Sequence, residues 1–363
     1  MSAGRRVLIA GLSSYWGGRL AQALEGFEQV EAIIGVDQRE PTRELERTEF
    51  VRAAYQHGLL ARIIRAAEID TVVDARLMVN SVVARPREVH ENNVIGTMSI
   101  LTACSGPDSP VRRLVFKSSA HYYGSEQDDP AFFREDMRRP HPARTVLERD
   151  IVDAEGAVAE FAERNEAVDV TVLRFANVVG PDVDTAFIRL FSLPVVPMVL
   201  GFDPRLQFVH EDDVVHALEH CVVNSTPGVF NVAADGVLAL SEAISVLGKR
   251  AAPVLPPFGT GLLAGPLRAV GVRFPDEMLN LMRFGRGLDN RRLKAEGFRY
   301  GLTSREAVAR LGEHLRLHPV MRGVEESYRY EREVEDFLRW SPHVRRERGG
   351  REGVEADREV LGI

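Results

Sequence analysis

Two clusters of residues hold most of the chemistry available to this chain. One is Ser118-Ser119-Ala120-His121-Tyr122-Tyr123-Gly124, which brings hydroxyl, imidazole and phenol groups together in one short run. Imidazole titrates near neutrality, so His121, with Tyr122 beside it, could serve as acid or base toward a hydroxylated substrate that Ser119 hydrogen-bonds. The plainer alternative has Ser119 capping the end of a strand, His121 lining a pocket and Tyr123 packing. The other cluster is Gly11-Leu12-Ser13-Ser14-Tyr15-Trp16-Gly17, a glycine turn between the apolar run Val7 to Ala10 and a helix opening near Tyr15. A helix N-terminus presents unpaired backbone N–H groups, so an anion such as a pyrophosphate is favoured above the turn. The next apolar run, Ala32-Ile33-Ile34-Gly35-Val36, ends in Asp37, whose carboxylate could accept hydrogen bonds from ribose hydroxyls. That carboxylate would repel a 2′-phosphate, which favours NAD over NADP. Arg39, two residues on, keeps NADP open.

These groups need a scaffold that ends several strands at one place. Further short β-branched or apolar runs occur at Asp70 to Ala75, Arg113 to Lys117 and Val170 to Phe175. Helical spacing separates them, over Gly58 to Glu68, Asn92 to Leu101 and Ile151 to Ala162. The alternation predicts parallel βαβ units and an α/β fold built on a doubly wound parallel sheet. Ligands of such sheets lie beyond the carboxyl ends of the strands, where Gly11, Asp37, Asp74 and Ser119 all fall. Pro41 to Gln56 reads as a charged loop.

Past Pro181 the pattern loosens. A short strand at Leu206 to His210 hands over to a helix with Glu211, Asp212 and Asp213 in its first turn, and Gly228 to Ala233 forms another strand. Residues 251–275 mix proline, glycine and leucine and read as a pocket wall or plain packing; a membrane-surface helix would need a polar face richer in Lys and Arg. The expected division is a dinucleotide-binding domain over 1–180, receiving a strand from about 205–235, and a smaller substrate-binding region over 181–315. An amphipathic helix over 316–340 carries Tyr330, Val334, Phe337 and Leu338, and 341–363 is a disordered tail rich in Arg, Glu and Gly.

Composition narrows the function classes. A chain of 363 residues with a net charge of -7 argues against a general nucleic-acid surface. Cys104 and Cys221 lie in apolar contexts without metal-ligand spacing, as small core residues of a reducing compartment do. No apolar run approaches the roughly 20 residues that span a bilayer, and the polar start has no signal-peptide pattern. A cytoplasmic protein is expected. Only Lys117, Lys249 and Lys294 are lysines; arginine carries the rest of the positive charge.

Five segments in order resemble the extended short-chain dehydrogenase/reductases, the group of NAD-dependent nucleotide-sugar epimerases and dehydratases. Gly11 to Gly17 is similar to TGxxGxxG, Ser118 to Gly124 to SSAxVYG, and Leu173 to Pro181 to LRxxNVYGP. Phe208 to Val214 is similar to FVHVDDV, and Asn93-Val94-Ile95-Gly96-Thr97 matches a further segment. The resemblance runs from about residue 5 to about 310. It implies a Rossmann-like domain for NAD, with Asn93 at the cofactor site, and a C-terminal region for a nucleotide-linked small molecule, with Asn177 near the substrate. It also implies a catalytic Ser, matched by Ser119, and a Tyr-x-x-x-Lys pair one helix later. Anchoring the family's helix pattern on Glu155 puts Leu147 and Ile151 at those two positions, and no tyrosine in the chain is followed four residues later by lysine.

Three other departures accompany the loss. Ser14 replaces the middle glycine of the turn. Arg76 stands in the strand-end segment Asp74-Ala75-Arg76-Leu77, near the cofactor path, where it would either clash or pair with a phosphate. Leu206 replaces the family's diphosphate arginine, with Arg205 adjacent. Two functions follow: an atypical NAD-dependent oxidoreductase using Ser119 with His121 or Tyr122, or a non-catalytic dinucleotide- or sugar-nucleotide-binding sensor or scaffold. A homodimer is the expected assembly; nucleic acid and integral membrane partners are not expected.

Overall fold

The computed structural model describes residues 4–79, 85–106, 108–254 and 276–317, with Val334 and Phe337. The chain begins β1 (Arg5–Ala10), α1 (Tyr15–Glu25), β2 (Val30–Asp37), β3 (Thr48–Arg52), α2 (His57–Ala66) and β4 (Thr71–Asp74). A long helical segment follows as α3 (Pro86–His90), one π-helical stretch (Glu91–Ile95) and α4 (Gly96–Cys104). Then come β5 (Arg113–Ser119), α5 (Val146–Arg164), β6 (Asp169–Phe175) and β7 (Asn177–Val179). The remainder is α6 (Ala186–Ser192), β8 (Val195–Val199), β9 (Arg205–Leu206), β10 (Phe208–His210), α7 (Glu211–Val223), β11 (Gly228–Val232), β12 (Leu238–Ala239), α8 (Leu240–Val246), β13 (Arg250–Val254), α9 (Asp276–Phe284), α10 (Arg291–Ala295) and α11 (Ser304–Leu317).

Seven strands form one parallel sheet in the order β11-β6-β5-β4-β1-β2-β3. The order reverses between β1 and β4, so a crevice opens beyond Ala10 and Asp74. Alternate strand residues feed two cores. Leu8, Val72 and Phe116 pack against α2, α4 and α5, while Val7, Ile9 and Val115 pack against α1 and α7. Glycine is required at Gly35 on β2, where an added Cβ would lie 2.1 Å from the Leu12 side chain. A third core unites α6, α8, α9 and α11. No described helix is long and apolar enough to cross a membrane.

The segment expected as a loop, 41–56, contains β3, the edge strand of the sheet, paired with β2 from Thr48 opposite Ile33 to Arg52 opposite Asp37. Glu49 and Arg52 hide its pattern, because an edge strand tolerates charge where a central one does not. Residues 1–319 form one compact unit and 320–363 a second. Within the first unit β10 returns to pair with β7, and β11 joins the sheet beside β6, from the 205–235 stretch expected to feed it. In the second unit Val334 and Phe337 are helical; the rest of the expected helix beyond Leu317, the tail, and residues 255–275 lie outside the described residues.

Candidate functional site

The cradle begins where β1 stops. Gly11 takes a positive φ of 89°, Ser14 N–H donates to the Gly11 carbonyl at 3.0 Å, and α1 starts at Tyr15. Ser14 turns its hydroxyl inward: Oγ donates to the Gly11 carbonyl at 2.6 Å and accepts Gly17 N–H at 3.1 Å. The hydroxyl therefore caps the helix and does not project into the anion path. Capping Gly17 leaves the N–H groups of Tyr15 and Trp16 without a hydrogen bond among the described residues, as the seat of an anion requires. Gly17 has no room for a side chain, since an added Cβ would sit 2.1 Å from the Gly11 carbonyl oxygen.

Asp37 closes β2 and is half-buried. One carboxylate oxygen accepts Ser13 N–H at 3.1 Å, and the other accepts Gln38 N–H at 2.7 Å and Arg39 N–H at 3.4 Å. A carboxylate has about four acceptor positions, so one remains for a ribose hydroxyl. Ser13 thus orients Asp37 through its backbone, and Arg39 is exposed beyond it.

Arg76 is buried against this cradle. An added Cβ on Gly11 would lie 2.6 Å from Arg76 Cγ, and one on Gly96 would lie 2.2 Å from its guanidinium. That guanidinium pairs with Asp74 at 2.7 Å, donates to the Asn92 carbonyl at 3.1 Å and stacks 4.2 Å from the centre of the Tyr55 ring. It covers the Gly11 face, and its charge is answered by Asp74. Asn93, expected at the cofactor site, is fully buried. Its amide clamps the backbone of Met78, accepting N–H at 2.9 Å and donating to the carbonyl at 2.8 Å, so it positions the segment after β4.

At the end of β5, Ser119 Oγ lies 2.9 Å from His121 Nδ1 and accepts His121 N–H at 3.3 Å. With the proton of the neutral ring on Nε2, the tautomer in which His121 can take a proton from the serine, Oγ donates to Nδ1. Burial pushes the His121 pKa down to about 3, with Arg286 and Arg139 adding to the effect. The carbonyls of His121, Tyr122 and Gly124 are held by these arginines: Arg139 donates to the first two at 3.1 and 3.3 Å, and Arg286 to the third at 3.0 Å.

Tyr122 lies with its ring 3.6 Å from the Arg174 guanidinium carbon. Behind it runs a buried polar chain. Ser118 Oγ donates to Glu155; Arg174 pairs with Glu155 at 2.6 Å and donates to Tyr123 OH at 2.8 Å; Tyr123 OH donates to Asn231 at 2.9 Å. Burial opposes the Arg174 charge, but Glu155 outweighs it and pushes that pKa up. On the outer side, Asn177 donates to the Gln207 carbonyl at 2.9 Å, tying β7 to the approach of β10. Arg205 is exposed on β9, and its carbonyl accepts Arg286 N–H at 3.0 Å. The structure thus gathers Ser119, His121, Tyr122 and the arginines at one strand end and the glycine turn with Asp37 at the crevice.

Sequence reasoning missed Tyr55, Arg139, Arg286, Glu155 and Lys117 as members of this region. For four of them the signal is invisible locally, because their partners lie far along the chain. Lys117 alone carried a clue, as one of three lysines in the chain placed inside an apolar strand.

A family model for the NAD dependent epimerase/dehydratase family matches residues 7–233. The chain belongs to this family. An uncharacterised protein of Mycobacterium tuberculosis strain H37Rv is 36% identical over 312 residues, 83% of this chain and 81% of its own length. Solved members of similar fold include UDP-glucuronic acid 4-epimerase from Bacillus cereus in complex with NAD, at 16% identity and TM-score 0.64 over 86% of this chain and 97% of that one. Another is WbmG of Bordetella bronchiseptica in complex with NAD and UDP, at 19% identity and TM-score 0.66 over 88% and 96%. At these identities the likeness establishes the Rossmann-like fold of the family, while activity depends on the site.

Proposed function

We propose that the protein binds an NAD-type dinucleotide at the glycine turn and Asp37, and a nucleotide-linked, hydroxylated small molecule beside Ser119. There it performs epimerase/dehydratase-like oxidoreduction with a serine–histidine pair in place of a tyrosine and lysine. The observation that carries this reading is the 2.9 Å contact between Ser119 Oγ and His121 Nδ1 at the carboxyl end of β5. The free N–H groups of Tyr15 and Trp16 and the remaining acceptor position of Asp37 fit the dinucleotide. Family neighbours solved with NAD and with UDP support the same ligand classes.

Bound there, the dinucleotide supplies a hydride acceptor. Ser119 Oγ receives the substrate hydroxyl proton while its own proton passes to His121 Nδ1. Charging His121 is opposed by burial and by Arg286 and Arg139. A diphosphate lying near those arginines, with Arg205 at the rim, would offset their field and make His121 a stronger base. Substrate anion and catalytic base are thereby coupled, so uncharged sugars should be poor substrates.

The test is incubation of purified protein with NAD and a panel of nucleotide sugars, following reduced-nicotinamide absorbance and product formation. Turnover that falls by about a hundredfold or more in Ser119→Ala and in His121→Phe is expected. A second reading, a binding protein without turnover, is favoured by one observation. Leu147 and Ile151 on α5 are 2% and 0% exposed and belong to the core, leaving no tyrosine–lysine relay on that helix. Saturable dinucleotide binding with no turnover across the panel decides for it.

A further inference from the structure

Lys117 is a buried cation that the proton relay does not use. It is 3% exposed on β5, and its ammonium lies 5.2 Å from the centre of the Trp16 ring and 5.8 Å from that of Phe175. Among the described residues it makes no hydrogen bond or ion pair. Buried charges are ordinarily paired. The carboxylate acting on it, Asp74, is already paired with Arg76 at 2.7 Å. Two aromatic faces hold the ammonium in place instead.

Its position relative to the crevice gives the charge a purpose. A dinucleotide straddles the point where strand order reverses, one nucleoside on each side. Asp37 marks the β2 side, so the second nucleoside falls over the ends of β4, β5 and β6. Trp16 stands in the first turn of α1 and Phe175 is the last residue of β6, which puts the ammonium on that second side.

We propose, resting on the dinucleotide reading above, that Lys117 sets the redox-state preference of the site: its ammonium repels the cationic oxidised nicotinamide and leaves the neutral reduced ring unopposed. Burial lowers its pKa to about 8, and Asp74 partly counters this, so the charged form still predominates at neutral pH. The preference suits a reaction that borrows a hydride and returns it, because the reduced carrier is then held most tightly while the substrate is oxidised. Lys117 acts here as a specificity-determining residue, separate from the Ser119–His121 pair.

Calorimetric titration of the full chain with NAD, NADH and ADP-ribose tests this. Wild type should bind NADH about tenfold or more tighter than NAD, since one unit charge is opposed at close range. Lys117→Met should tighten NAD until the two differ by about threefold or less, leave ADP-ribose unchanged because it lacks the ring, and Lys117→Arg should keep the preference. Equal affinities for NAD and NADH in wild type overturn the assignment without any variant. Equal weakening of all three ligands in Lys117→Met also overturns it, by making Lys117 a phosphate or ribose contact. If none of the three binds wild type, the dinucleotide reading itself fails and takes this one with it.

Discussion

Glu155 shows how much a single buried carboxylate can carry. It accepts from Ser118 and pairs with Arg174 at 2.6 Å, and Arg174 in turn holds Tyr123 and lies against Tyr122. Removing one partner of a buried pair strands the other charge, so Glu155→Gln should lower stability by about 3 kcal/mol or more, read from urea unfolding. The double variant Glu155→Leu with Arg174→Met should be milder, because no charge is left behind. Lys117 offers the opposite case. Its pKa falls from 10.5 to about 8 on folding, so below pH 8 the protein bears the cost of a buried ammonium. Between those values the unfolded chain binds the proton and the folded one does not, and stability rises with pH. Wild type should therefore gain roughly 3 kcal/mol relative to Lys117→Met across this window, measured as the difference between their unfolding curves. Ser119 and His121 were legible in the sequence because they are neighbours in one motif. Glu155, Arg174 and Asn231 were not, since what joins them is distance in space.

Helix α5 is where the expected departure from the family pattern falls, and its geometry shows what those positions do. Leu147 and Ile151 lie four residues apart on the sheet-facing side of the helix, packed in the core with Phe116 and Val172. Apolar side chains there extend the core, so the helix contributes packing at the two positions where the resemblance implies polar groups. Ile151→Lys should accordingly lower stability by several kcal/mol, seen as a drop in thermal midpoint, because an unpaired ammonium would enter a core. The helices and buried strands of this fold were readable from periodicity, as β1, β4 and β6 show. Strand β3 was not, because its exposed edge carries Glu49 and Arg52. The π-helical stretch at Glu91–Ile95 also left no mark in the pattern; it places the Asn92 carbonyl against the Arg76 guanidinium.

At the scale of the whole molecule, the doubly wound sheet brings Gly11, Asp37, Asp74 and Ser119 to one edge, as their common position at strand ends implied. The return of the chain to this sheet was expected from the strand at about 205–235, and β11 joins β6 there; what a linear reading did not supply was the pairing of β10 with β7. Arg76 gives that architecture a temporal consequence. Its side chain covers Gly11 and is fastened to Asp74, Asn92 and the Tyr55 ring. A ligand that displaces this side chain to settle on the glycine turn does so only as those fastenings open, and its association should then show an observed rate that levels off as ligand concentration rises. Stopped-flow mixing with Trp16 fluorescence as the signal should show that plateau in wild type and lose it in Arg76→Ala. The same residue would then govern how long the site hesitates before it fills.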